Sequence, residues 1–174
     1  MKLRPVLLAM SILSLLFGTA KGDPLKVGDA APAVTVTTET GAKLNLGDVY
    51  GKQPYTLVYF YPKADTPGCT KQGCSLRDGY EKLTKEGVAV IGISHDTPEE
   101  QSAFKAKYHL PFTLVADQDQ SASKAFGVPN YAGSGLAHRS AYLIKNGKIV
   151  YTDYKGTTDK QADTILKVLD EQKS

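Results

Sequence analysis

Cysteine and histidine are scarce in this chain, and their scarcity excludes most of what they usually do. Two cysteines and three histidines occur among 174 residues. A zinc site takes about four ligands, and His95, His109 and His138 are scattered away from Cys69 and Cys74, so no metal site is legible. A Cys-x-x-Cys redox motif needs two intervening residues, and this pair has four. A structural disulfide across so short a loop would remove little entropy from the unfolded chain. Charge of one sign is also missing. The formal charge of +3 falls to zero once Lys2, Arg4 and Lys21 are set aside, which removes any case for nucleic acid or acidic membranes as partners. No apolar run reaches the roughly 20 residues of a membrane span, and there is no internal repeat or low-complexity tract. With 41% hydrophobic and 22% charged residues, disordered and fibrous classes are excluded.

What is present begins with an export signal. Lys2 and Arg4 precede an apolar stretch from Val6 to Phe17. Small residues follow, with cleavage expected after Ala20 or Gly22. This is the layout of a secretory signal peptide, with an uncleaved N-terminal anchor as the alternative. Residues 1–22 are therefore read as the signal and residues 23–174 as one domain. The expected compartment is a bacterial periplasm, and no stable membrane partner is expected.

Along that domain, Val34–Thr38 reads as a strand, Glu39-Thr40-Gly41 as a turn, and Lys43–Leu46 as its hairpin mate. Tyr55–Tyr61 has the continuous apolar character of a central strand. Cys69–Glu86 reads as one helix, with Leu76, Tyr80 and Leu83 on one face. Val88–Ser94 is another buried strand. Thr97-Pro98-Glu99-Glu100 is a capping box opening a helix, and Phe112–Ala116 a further strand. Ser121–Phe126 reads as a short helix capped by Gly127. A Gly-rich loop spans Tyr131–His138. Ser140–Ile144 and Lys148–Thr152 flank an Asn-Gly hairpin turn. Thr158 with Gln161 suggests a capping box for a last helix, whose inner face is Ala162, Ile165, Leu166 and Leu169. Alternating strands and helices give an α/β layer fold of thioredoxin-like type, with a central mixed sheet flanked by helices and an extra N-terminal β-hairpin.

Chemistry concentrates at Cys69, just past the end of a central strand, where open α/β sheets place their sites. A free cysteine titrates near pH 8.5, and lower at a helix N-terminus or beside a cation. Arg139 and Lys63 are both candidates for that cation, and spacing does not choose between them. Thr66 is near enough in sequence to place a hydroxyl by the sulfur. On an intact helix the Cα atoms of Cys69 and Cys74 would lie about 8.6 Å apart, whereas disulfides rarely exceed about 7 Å. Their disulfide and an intact first turn exclude each other.

The string Pro62-x-x-x-Thr66-x-x-Cys69 resembles the active-site signature of peroxiredoxins. Thr66-Pro67-Gly68-Cys69-Thr70, with Cys74 and Leu76-Arg77-Asp78, resembles the peroxiredoxin Q or bacterioferritin comigratory protein subfamily. The likeness runs on through Val90–Asp96, Leu110-Pro111-Phe112, Asp117 and Arg139–Ile144. It implies a peroxidase in which Cys69 attacks the peroxide, Thr66 bonds sulfur and peroxide, and Arg139 stabilises the thiolate. Pro62 would shield the pocket, and Cys74 would resolve the sulfenic acid as a disulfide. Hydrogen peroxide and organic hydroperoxides are the implied substrates and a thioredoxin-like dithiol the implied reductant. No metal, haem or flavin is implied, and a monomer is expected, with a dimer as the alternative. Gly73 and Ser75 are weak helix formers that should ease unwinding. Two other readings remain: an exported thiol–disulfide oxidoreductase acting on protein thiols, and a copper-binding assembly protein using the cysteines with His138 or His95. All three histidines are otherwise read as ordinary surface or loop positions.

Overall fold

A computed structural model describes residues 23–173; the expected signal peptide lies outside them. The elements are β1 (Thr35–Thr37), β2 (Lys43–Asn45), α1 (Leu46–Tyr50), β3 (Tyr55–Phe60), α2 (Pro67–Asp78), α3 (Tyr80–Lys85), β4 (Val88–Ser94), α4 (Pro98–Tyr108), β5 (Thr113–Ala116), α5 (Ser121–Ala125), β6 (Ser140–Lys145), β7 (Lys148–Asp153) and α6 (Gln161–Glu171). Five strands form one sheet in the order β5-β4-β3-β6-β7. β3 runs parallel to β4, and β4 to β5, while β6 is antiparallel to β3 and β7 to β6. This is the expected thioredoxin-like mixed sheet.

β3 lies at its centre and is buried on both faces. Leu57, Tyr59 and Tyr61 enter a core roofed by α2, α3, α4 and α6, and Val58 and Phe60 enter a second core under α1, α5 and the hairpin. Strand periodicity of two is what sends alternate residues to opposite layers. Burying each large apolar side chain contributes roughly 1.5–3 kcal/mol. The first core is tight enough to dictate a glycine. A Cβ on Gly92 would stand 2.6 Å from the Tyr59 hydroxyl oxygen.

The extra hairpin, β1–β2, covers the β5 edge. Thr38 bridges Val115, and the Glu39 carboxylate accepts from Leu114 N at 3.0 Å and from Lys105 Nζ at 2.5 Å. An edge so occupied is no longer open to another strand.

Three expectations are corrected. The turn of helix at α1 is additional: Asn45 caps it through Gly47 N at 2.8 Å, and five residues are too few for a periodicity to show. The expected single helix Cys69–Glu86 starts earlier, at Pro67, and divides at Gly79, where α6 crosses so closely that a Cβ would lie 2.5 Å from the Ala162 Cβ. The expected capping box at Thr158 and Gln161 does not form. Lys160 is the N-cap of α6 without a side-chain cap bond, and the Gln161 side chain turns inward, fully buried.

Candidate active site

The chain leaves β3 into a loop pinned at each step. Tyr61 is buried, and its hydroxyl donates to the Gln101 side-chain oxygen. Ala64 N donates to Asp96 Oδ2 at 2.7 Å, and Ser94 Oγ donates to the same oxygen at 2.5 Å. Asp65 adopts a left-handed backbone, φ 59°, sparsely populated for a residue with a Cβ. Its carboxylate accepts from Lys107 Nζ at 2.7 and 2.9 Å and from the Tyr108 hydroxyl at 2.6 Å. Those hydrogen bonds, from Lys107 first and Tyr108 second, hold the Asp65 carboxyl below its ordinary range.

The loop delivers Thr66 as the N-cap of α2 and Pro67 to its first turn, the position where a missing N–H costs least. The first helical bond runs from Thr70 N to Thr66 O at 2.8 Å. Cys69 therefore sits in the first turn, where backbone N–H groups are unpaired within the helix and the helix dipole presents its positive end. Its thiol is free and 2% exposed. Cys74 is also free, half-buried, further along the same unbroken helix.

Of the two candidate cations, Arg139 is the one at the sulfur. Its Nη2 donates to Cys69 Sγ at 3.4 Å, while Lys63 is exposed. Arg139 is walled in: a Cβ on Gly68 would lie 3.2 Å from Nη2, and one on Gly156 3.0 Å from its Cδ. Its other arm, Nη1, donates to Gln72 Oε1, and Gln72 Nε2 donates to Gln161 Oε1 at 2.9 Å. The Thr66 hydroxyl, expected at the sulfur, instead donates to the Lys63 carbonyl at 2.9 Å, and Pro62 is half-buried at the head of the loop.

Below the thiols lies the Tyr59 hydroxyl, fully buried and without a hydrogen-bond partner among the described residues. Burial above all holds it well above the ordinary tyrosine range, with Tyr61 and Cys69 adding to the rise. Arg77 lies against Cys74: its guanidinium donates to Asp78 Oδ1 and, at 2.9 Å, to the Tyr108 carbonyl, and its titration is raised by Asp78 first and by Cys74 among the lesser causes.

Sequence reasoning missed Gln72, Gln161 and Gly156, whose roles depend on partners distant in the chain. It also misjudged His95. That ring meets the Gly135 carbonyl at 2.8 Å and Ser123 Oγ at 2.9 Å, tying down the loop that leads into Arg139. His138 packs against Tyr131 with the rings tilted by 36°, and His109 is an exposed left-handed helix cap. Among the described residues, no three His, Cys, Asp or Glu side chains gather as a metal-ligand set.

A cysteine so held suits nucleophilic chemistry and not cross-linking, and on this sheet topology it defines a thioredoxin-fold thiol enzyme. The model of the AhpC/TSA family matches residues 27–152. The chain belongs to that family, and its relatives are peroxiredoxins. It is 44% identical to peroxiredoxin Bcp of Escherichia coli strain K12 over 157 residues, covering 86% of this chain and 98% of the relative. It is 41% identical to the chloroplastic peroxiredoxin Q of Populus jackii over 144 residues, or 82% of this chain and 67% of the relative. Among solved structures, peroxidoxin BcpB of Mycobacterium tuberculosis superposes with a TM-score of 0.79 at 26% identity, covering 86% of this chain and 99% of that one. A Xanthomonas campestris bacterioferritin comigratory protein, described for its alkyl peroxide reduction activity, superposes with a TM-score of 0.75 at 26% identity, covering 88% and 100%. The protein is thus a thiol peroxidase of the peroxiredoxin class.

Proposed function

We propose that this peroxidase reduces hydrogen peroxide and organic hydroperoxides through Cys69 and closes its cycle through Cys74. The observation that carries the reading is the Arg139 guanidinium 3.4 Å from a buried sulfur at a helix N-terminus. A full positive charge there can polarise a bound peroxide and stabilise the charge that develops as the O–O bond breaks. The Cys69 thiolate attacks one peroxide oxygen, the O–O bond breaks, and the departing alkoxide or hydroxide leaves as alcohol or water after taking a proton. Cys69 becomes a sulfenic acid. Thr66 would hydrogen-bond the peroxide and Pro62 would shield the pocket. The Cys74 thiolate then attacks the Cys69 sulfur, the S–S bond forms, and hydroxide leaves as water. A thioredoxin-like dithiol reduces the disulfide by exchange and is itself oxidised. Forming that disulfide requires the first turns of α2 to unwind, since helical geometry holds the two Cα atoms about 8.6 Å apart. The Xanthomonas relative's alkyl peroxide activity supports organic substrates here. Burial of Cys69 disfavours protein thiols as substrates.

The test is stoichiometric peroxide titration with thiol counting. One equivalent should remove both thiols and leave a Cys69–Cys74 disulfide by mass. Cys74→Ser should turn over once and leave a sulfenic acid that dimedone traps. Peroxide turnover by Cys69→Ser would sink the reading. The apolar run from Val6 to Phe17 supports export to a periplasm. N-terminal sequencing of the protein from a periplasmic fraction should then begin at Lys21 or Asp23, and a chain that keeps Met1 in the cytoplasm would exclude it.

A further inference from the structure

A chain of side-chain hydrogen bonds runs from the reactive sulfur to the C-terminal helix, and its polarity can be read. A guanidinium only donates. Gln72 therefore turns its oxygen to Arg139 Nη1 and its nitrogen to Gln161 Oε1, 2.9 Å away. Gln161 must then present its oxygen, and its own Nε2 is left buried without a partner among the described residues. Both glutamines are 0% exposed. An unpartnered buried N–H is costly, so the orientation of Gln161 answers Arg139 and not its own surroundings.

The place of Gln72 matters as much. It lies between Cys69 and Cys74, in the segment that must unwind for the disulfide to form. Ser75, the first residue after Cys74, makes a second tie to the same helix end, accepting from Ala162 N at 3.2 Å. α6 has no side-chain cap of its own, so Ser75 serves that terminus from another helix. Unwinding residues 69–74 breaks the Gln72–Gln161 bond and can leave the Ser75 bond in place.

We propose that Gln161 is a positioning residue: through Gln72 it aims Arg139 at Cys69, and it latches α2 in its wound state. The inference rests on the peroxidase reading above. While the latch holds, Arg139 is braced at the sulfur for the attack on peroxide. Once Cys69 is a sulfenic acid, release of the latch frees both the segment and Arg139. The two steps of the cycle thus depend on Gln161 in opposite directions.

The experiment uses the full chain with two stopped-flow readouts. In Gln161→Met, which keeps the volume and replaces the amide oxygen with a weakly accepting thioether sulfur, oxidation of Cys69 by hydrogen peroxide, followed in a Cys74→Ser background, should slow. Formation of the Cys69–Cys74 disulfide after one equivalent of peroxide, in the Gln161→Met single variant, should accelerate. Each change should be about two- to tenfold, the range of one neutral hydrogen bond. Gln161→Glu, which restores an acceptor for Gln72, should recover the oxidation rate. Ser75→Ala should lower the melting temperature and leave the oxidation rate unchanged. Should Gln161→Met fail to fold, Gln161→Asn, a methylene too short to reach Gln72, must show the same opposed pair of shifts. Unchanged rates, or two rates that fall together with the melting temperature, would overturn the latch. If the unsubstituted protein consumes no peroxide, it is the peroxidase reading that fails.

Discussion

Arg139 illustrates how one side chain can be held by everything except sequence neighbours. Its two arms divide between Cys69 Sγ and Gln72, while a Cβ at Gly68 would crowd its guanidinium and one at Gly156 its aliphatic stem. Charge-assisted hydrogen bonds contribute about 1.5–3 kcal/mol, so Arg139→Ala should slow Cys69 oxidation by about 10- to 100-fold, as measured by competition for peroxide. Arg139→Lys should recover only part of the loss, because a single ammonium cannot serve both partners in fork geometry. An unchanged rate in the alanine variant would remove Arg139 from the site.

At the scale of elements, the decisive one is α2, which in the proposed cycle is ordered to aim Cys69 and labile enough to release it. Gly73, between the two cysteines, tunes that balance. A Cβ there would meet Leu110 at 3.5 Å and Phe104 at 3.6 Å, ordinary contact distances, so space does not require glycine. Gly73→Ala should raise stability by up to about 1 kcal/mol through helix propensity. It should slow disulfide formation by a corresponding factor of up to about five while leaving Cys69 oxidation alone. Thermal melts and stopped-flow traces check both halves. A second element-level device is the clamp of α4 on the active-site loop through Asp65. Its carboxyl is depressed in the folded state. The stability it contributes is therefore present above the ordinary aspartate value of about 3.9 and is lost as pH falls through the lower folded value. Acid titration below pH 4 should loosen the loop around Ala64, seen as faster amide exchange. Asp65→Asn should flatten that dependence; a profile unaltered by the substitution would assign the acid transition elsewhere.

For the whole molecule, the site rests on the close fit of β3 against β4 beneath α2. Gly92→Ala would drive a methyl to 2.6 Å from the Tyr59 hydroxyl oxygen and 2.9 Å from Leu114 Cδ2. Overpacking of this kind costs about 1–3 kcal/mol. Tyr59→Phe removes the nearest atom of the clash, a buried hydroxyl without a hydrogen-bond partner among the described residues, and leaves the ring carbon Cζ at 2.7 Å. The double variant should be more stable than Gly92→Ala alone, a difference that denaturant melts resolve; a double variant no more stable than Gly92→Ala would remove the Tyr59 hydroxyl from the clash.

How far each feature could be read ahead of the structure follows from how locally it is encoded. The apolar run Tyr55–Tyr61, the capping box at Thr97 with Glu100 and the Asn-Gly hairpin act over a few residues, and each element they announced is present. Cys69 in the first turn of a helix, and the conflict between that helix and a Cys69–Cys74 disulfide, follow from the same short-range rules. The pattern at Thr158 and Gln161 obeys a local rule too, yet a buried partner 89 residues away in sequence outbid it, because α6 is packed on α2. Arg139 and Lys63 were equivalent until the sheet brought β6 beside β3, its start at Ser140 opposite Phe60. By itself the sequence determined most of the elements, the place of Cys69 in the first turn of a helix and the conflict between that helix and a Cys69–Cys74 disulfide, since these depend on backbone geometry along one stretch of chain. Only the tertiary structure decided which cation meets the sulfur and what braces it, since those contacts join residues that the chain itself keeps far apart.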